Sequence, residues 1–101
     1  MSEQTVLKLW NEIHGNKVDV YDYSGRLMKK SAIGNHLSQF EPTIDHIRPI
    51  SAGGTSAKGN LIICSRLTNQ EKADKFSTWV ANKKTFQAIR VKGIRNTYRI
   101  Q

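Results

Sequence analysis

Residues 44 to 74 read IDHIRPISAGGTSAKGNLIICSRLTNQEKAD, and this stretch decides the fold. Thr43 to Pro49 (TIDHIRP) is expected to form a short strand, since Ile44 and Ile47 are apolar and Pro49, which cannot donate to a ladder, closes it. Residues 51 to 59 (SAGGTSAKG) are small, polar and glycine-rich, whereas Leu61 to Cys64 (LIIC) has the pattern of a buried strand. Together they predict a hairpin with a long connection. Thr68 followed by Glu71 fits the S/T-x-x-E/Q capping box, and Ala73, Phe76 and Val80 recur at helical spacing, so a helix is expected to start at Asn69. Strand, strand and helix make a ββα core over residues 43 to 82.

Upstream, Val6, Leu9, Trp10 and Ile13 recur at helical spacing between Thr5 and His14, and Gly15-Asn16 supplies a stop, predicting a short amphipathic helix. Val18, Val20 and Asp22 alternate with Asp19 and Tyr21 ahead of the turn residues Tyr23-Ser24-Gly25-Arg26, and Leu27 and Met28 follow, as in a β-hairpin. Residues 31 to 42 lack a clean period and end in Pro42, as an ordered loop would. Downstream, Asn82-Lys83-Lys84 reads as a polar break, and TFQAIRV and IRNTYRI around Lys92-Gly93 as a terminal β-hairpin. The expected class is α+β: the ββα core with an N-terminal helix, a preceding hairpin and a C-terminal hairpin.

At 101 residues the chain suits one domain, residues 1 to 101, and is too short for two independent cores. Its net charge of +8 is unevenly placed. Residues 1–45 carry five Lys/Arg against six Asp/Glu, whereas residues 46–101 carry eleven against two, so the positive potential follows His46 and points to a polyanionic partner. Cys64 is the only cysteine, which excludes an intrachain disulfide and a cysteine-rich zinc site and agrees with a reducing cytoplasm. The N-terminal MSEQTVLKLWNEIHG has no signal-peptide pattern, and nothing approaches the ~20 apolar residues of a membrane span, so a cytoplasmic location and no membrane partner are expected.

The chemistry-bearing residues are an Asp45-His46 pair, Asn60 fourteen residues after the His, and Asn69 nine further on. Asp45 offers a hard oxygen to a divalent cation, His46 is the side chain best suited to accept a proton near neutral pH, and Asn69 offers a neutral carbonyl oxygen. These are the parts of a metal-assisted phosphodiesterase. Neighbouring strand residues point to opposite faces, so the strand is expected to bend or end at His46, turning Asp45 to the metal while His46 aims at the attacking water from the other side. Asn69 in the first helical turn would reach the same metal, where the helix N-terminus favours phosphate. Taken alone, an Asp-His dipeptide is more often a surface pair, and Asn60 after Gly59 a turn residue; the combined spacing favours the site. Arg48, Lys58, Arg66, Lys72 and Lys75 flank it as candidate phosphate contacts, and Arg90, Lys92, Arg95 and Arg99 extend the basic surface. His14 and His36 have no ligand-like spacing, Asp74 reads as the partner of a nearby lysine, and Trp10, Phe76 and Trp79 read as core residues.

The succession DHIxP, a GG loop, NL and NxxK resembles the HNH nucleases of the ββα-metal superfamily, and its spacing is similar to the HNH domain of RNA-guided CRISPR effectors. YDYSGRLMKKSAIGN resembles the D-x-x-G-R segment that often precedes the motif in small phage and bacterial HNH proteins, so the likeness covers roughly residues 18 to 80. The resemblance implies His46 as general base, Asp45 and Asn69 as ligands of one divalent cation, Asn60 as a brace that keeps His46 oriented, and Lys72 near phosphate. Position 69 holds Asn where the family name expects a second His, which bears on metal preference; oxygen ligands suit Mg²⁺ or Mn²⁺. The expected function is hydrolysis of DNA, most simply double-stranded, by a monomer or homodimer in a bacterial or phage-infected cell. The alternative is a catalytically silent nucleic-acid-binding component of a phage or genome-handling complex.

Overall fold

A computed structural model describes residues 2–101. Helix α1 (Glu3–His14) starts where the Ser2 hydroxyl accepts the Thr5 amide at 3.2 Å, and it ends at Gly15, whose positive φ of 60° closes the last turn. Its apolar spacing buries Val6, Leu9 and Trp10. The Trp10 indole donates to Lys17 O at 2.8 Å and ties the helix to the chain that enters β1 (Asp19–Tyr21), which pairs antiparallel with β2 (Leu27–Lys29).

The central hairpin joins β3 (Pro42–His46) to β4 (Leu61–Ser65) over five antiparallel pairs, from Pro42↔Ser65 to His46↔Leu61. Alternation along the strands gives this hairpin two different faces. Ile44 and Ile63 are cross-strand partners and meet Leu9, Trp10 and Met28, with Val20, Ile33 and Leu61 around them; this is the core, on the α1 side. Thr43 and Asp45 project to the other face, against α2 (Arg66–Lys72). The arrangement is α+β with a ββα unit at its centre.

Three expectations are corrected. The strand holding Asp45 and His46 runs Pro42–His46 rather than Thr43–Pro49, with Pro42 in the opening position where a missing N–H costs least. The helix begins at Arg66, not Asn69, and stops at Lys72. Ser65 is its cap, accepting the Leu67 amide at 3.2 Å, because Thr68 is buried in hydrogen bonds to Asp22 and Ser24, and Glu71 pairs with Arg26. Ala73, at φ 51°, ends the helix, so Phe76 and Val80 never join it. The chain instead forms β5 (Trp79–Ala81) and β6 (Lys84–Phe86) about an Asn82-Lys83 turn, both residues at positive φ. The terminal hairpin is consequently shorter than expected, β7 (Ala88–Arg90) with β8 (Tyr98–Ile100), and a second hairpin precedes it. Among the described residues no helix is long and apolar enough to cross a membrane.

Candidate active site

Asp45 and His46 are the last two residues of β3, and their side chains leave on opposite faces. On the α2 face the Asp45 side chain is 12% exposed, and the Lys72 ammonium lies 3.0 Å from its Oδ2. Lys72 is fully buried. Its Nζ donates to His46 O at 3.1 Å and lies 5.2 Å from the centre of the Trp79 ring, so one cation is held by a carbonyl, a carboxylate and a π face. This ion pair is what compensates the Asp45 charge, and Oδ2 meets no other donor among the described residues. Burial pushes the Asp45 carboxyl above its ordinary value, and the pull of Lys72 and His46 offsets this only in part.

On the other side, His46 Nε2 lies 2.9 Å from Ser56 Oγ in the long connection. Asn60, fully buried, holds that connection. Its Oδ1 accepts the Arg48 amide at 2.8 Å, and its Nδ2 donates to Arg48 O at 3.0 Å and Thr55 O at 2.7 Å. Ile47 N donates to Asn60 O at 2.8 Å and continues the pairing one step past the strand. The loop is drawn in so tightly that a Cβ on Gly54 would fall 1.8 Å from Arg48 O.

Asn69 is the fourth residue of α2, at the end of its first turn and one helical turn before Lys72. Its Nδ2 donates to Thr43 Oγ1 at 3.1 Å, and Thr43 sits two residues before Asp45 on the same strand face. Among the described residues no donor meets Asn69 Oδ1, which leaves one neutral oxygen. Asn69, Thr43 and Arg66 open onto a cleft of about 510 Å³ beside the start of α1. The cleft does not reach Asp45 or His46.

The turn between β1 and β2 fixes the helix that carries Asn69 and Lys72. The buried Asp22 carboxylate accepts from Ser24 N, Ser24 Oγ, Arg26 N, Ser65 N and Thr68 Oγ1, at distances from 2.6 to 3.0 Å. Burial alone would raise its pKa, but these hydrogen bonds outweigh it and hold Asp22 below the ordinary Asp value. The D-x-x-G-R pattern flagged this segment; nothing local flagged Thr43 or Ser56, whose roles depend on strand register. Cys64 is fully buried and its thiol is pushed up by burial, so it is no nucleophile.

The five candidate phosphate contacts occupy different environments. Lys72 is corrected: it is an interior cation paired with Asp45, inaccessible to a phosphate from solvent. Arg66 donates to Glu41 Oε1 at 3.1 Å and Ser38 O at 3.2 Å. Arg48 donates to Ala52 O and to Tyr98 Oη, and Lys58 pairs with Glu12 at 3.2 Å. Lys75 is exposed, and among the described residues it forms no ion pair.

Among the described residues no cluster of three His, Cys, Asp or Glu side chains could hold a metal. The oxygen groups nearby are the Asp45 carboxylate, paired with Lys72, and the Asn69 amide carbonyl, which are of the hard type that a hydrated divalent cation takes. A ββα unit with these groups is the scaffold of a nuclease-type enzyme. The family model for HNH endonucleases matches residues 22–78, more than half of the chain, and the chain belongs to that family. No curated protein and no solved structure matches it. The family implies a nucleic-acid substrate, and its members generally use a divalent metal.

Proposed function

We propose that the protein is a metal-dependent DNA endonuclease in which His46 is the general base and Asp45 and Asn69 hold one Mg²⁺ or Mn²⁺. The observation that supports this most directly is the arrangement at the end of β3: the Asp45 carboxylate and the Asn69 amide lie on the α2 face, while His46 turns its ring to the other. When bound, the cation stabilises the negative charge that develops on the phosphate and the leaving 3′-oxygen. His46 Nε2 is engaged by Ser56 Oγ, so Nδ1 is the nitrogen left to take the proton of the attacking water. Asn60 keeps the 48–55 loop closed, which holds His46 at the strand end. Asn69 would offer its Oδ1 to the same cation while its Nδ2 stays on Thr43 Oγ1. One such centre cuts one strand of a duplex per encounter, so cutting both takes a second copy or a second encounter.

One observation favours the rival reading, a domain that binds nucleic acid without cutting it: Asn69 is turned to Thr43 and Lys72 occupies the charge of Asp45. Supercoiled plasmid incubated with the protein in Mg²⁺, Mn²⁺ or EDTA decides between them. Metal-dependent nicking is expected from wild type, and His46→Ala should lower its rate by ~10²–10⁴-fold, the usual worth of a general base. Plasmid that is retarded but intact in every metal would leave the binding module as the function, and undiminished nicking by His46→Ala would remove His46 from the base role.

A further inference from the structure

Residues 79–101 lie outside the stretch that the HNH family accounts for. The charge here is one-sided: from Lys75, four residues before this segment, to the C-terminus there are seven cations, Lys75, Lys83, Lys84, Arg90, Lys92, Arg95 and Arg99, and no Asp or Glu. All seven are exposed, and none takes part in an ion pair among the described residues. Elsewhere the chain neutralises several of its cations, as in Arg26–Glu71, Lys58–Glu12 and Arg66–Glu41.

The segment is fastened to the loop that follows His46. Arg48 Nη1 donates to Tyr98 Oη at 3.0 Å, and the Tyr98 ring meets Phe76 edge-on at 5.7 Å. Thr97 packs so closely on Gly59, the neighbour of Asn60, that a Cβ there would fall 2.2 Å from Thr97 Oγ1. Ala88 N donates to Phe76 O at 3.2 Å. Tyr98, the buried residue of β8, therefore anchors inward, while Arg99 leaves on the other face and Lys92 and Arg95 occupy the 91–97 connection.

We propose that this β7–β8 hairpin is a grip for the phosphate backbone of duplex DNA, rigidly docked beside the catalytic loop. The proposal rests on the nuclease reading for the identity of its polyanion. Uncompensated cations on a fixed ribbon near the site meet a helical polyanion at the expense of condensed counterions, and each phosphate neutralised adds ~0.9 to the dependence of log K on log salt. The ribbon carries no exposed aromatic ring for stacking on bases, since Tyr98 is buried, so the contact follows the backbone and is indifferent to sequence.

The test is equilibrium binding of a random-sequence 30-base-pair DNA duplex across a salt series in EDTA, where no cleavage is read. Wild type is compared with Lys92→Gln/Arg95→Gln/Arg99→Gln and with a charge-matched control, Lys8→Gln/Lys17→Gln/Lys30→Gln. The hairpin triple should flatten the salt slope by about 2 or more and weaken binding at least ~10-fold at 0.1 M salt, while the control shifts both far less. Equal effects from the two triples, or none from the first, would overturn the grip and identify the segment as a solvated surface. Stronger retention of duplex RNA than of DNA by wild type would overturn the assignment of partner. Plasmid nicking in Mn²⁺ is read in parallel: nicking with an unchanged slope sinks the grip alone, whereas a flattened slope without nicking sinks the nuclease reading and keeps the grip.

Discussion

Lys72 is buried with Asp45 as its one carboxylate among the described residues, so each leaves the other uncompensated when removed. Lys72→Met should cost about 2–4 kcal/mol in urea unfolding at pH 7, and Asp45→Asn a similar amount. The double variant should recover much of the loss, because a neutral pair needs no counter-charge. Additive losses would show that the two do not act together. Asp22 gives a pH signature instead. Its carboxyl is held below the ordinary value in the fold, so its contribution is fully present above pH about 4 and is lost as pH falls through the lower folded value. Asp22→Asn should therefore destabilise by about 2–3 kcal/mol at neutral pH, and the gap to wild type should narrow below pH about 4. A gap that stays constant with pH would show that the charge of Asp22 is not what holds the turn. The spacing of Asp45, His46, Asn60 and Asn69 was enough to place the first two at a strand end, the third in the connection and the fourth on the helix, because a hairpin followed by a helix is a local object. The burial of Lys72 was not, because an N-x-x-K lysine on a helix reads the same whether its face is packed or wet.

At the level of elements, the helix was misread through its caps. Two serine or threonine starts compete three residues apart, Ser65 and Thr68, and only the long-range bond from Thr68 to Asp22 decides which is outside the helix and which is within it. The apolar spacing Ala73, Phe76, Val80 then looked helical although the first of these is the residue that stops the helix. Ala73 holds φ 51° and ψ −130°, a region that glycine enters without steric cost and alanine does not. Ala73→Gly is accordingly expected to stabilise the protein by about 1 kcal/mol, seen as a rise in thermal midpoint. A fall would mean that the alanine methyl makes contacts worth more than the strain. The first helix was read from Thr5 instead of Glu3 but to the right end, and the first hairpin to within a residue or two, since their signals, apolar helical spacing, a glycine stop and alternating valines, are all local.

Across the whole molecule, every sheet among the described residues is a pair of strands, so every strand is an edge with one row of N–H and C=O groups unmatched by a ladder. Edges of this kind template pairing with other chains, and two features here oppose it. Six of the eight strands are three residues long, too short to recruit a partner strand with any strength. The net charge of +8 keeps copies apart at neutral pH. The second protection is conditional: it fades as pH approaches the isoelectric value of about 9.9, and at 0.1 M salt screening confines it to separations within about 10 Å. Light scattering at fixed concentration should thus rise as pH is taken from 7 towards 9.9, while circular dichroism stays that of the folded chain; a flat trace would mean that the short edges suffice. The same positive surface that suits the protein to a nucleic acid is then also its colloidal stabiliser, and saturating it with a polyanion removes the repulsion between copies. Crowding along one duplex becomes the setting in which those bare edges are closest to one another.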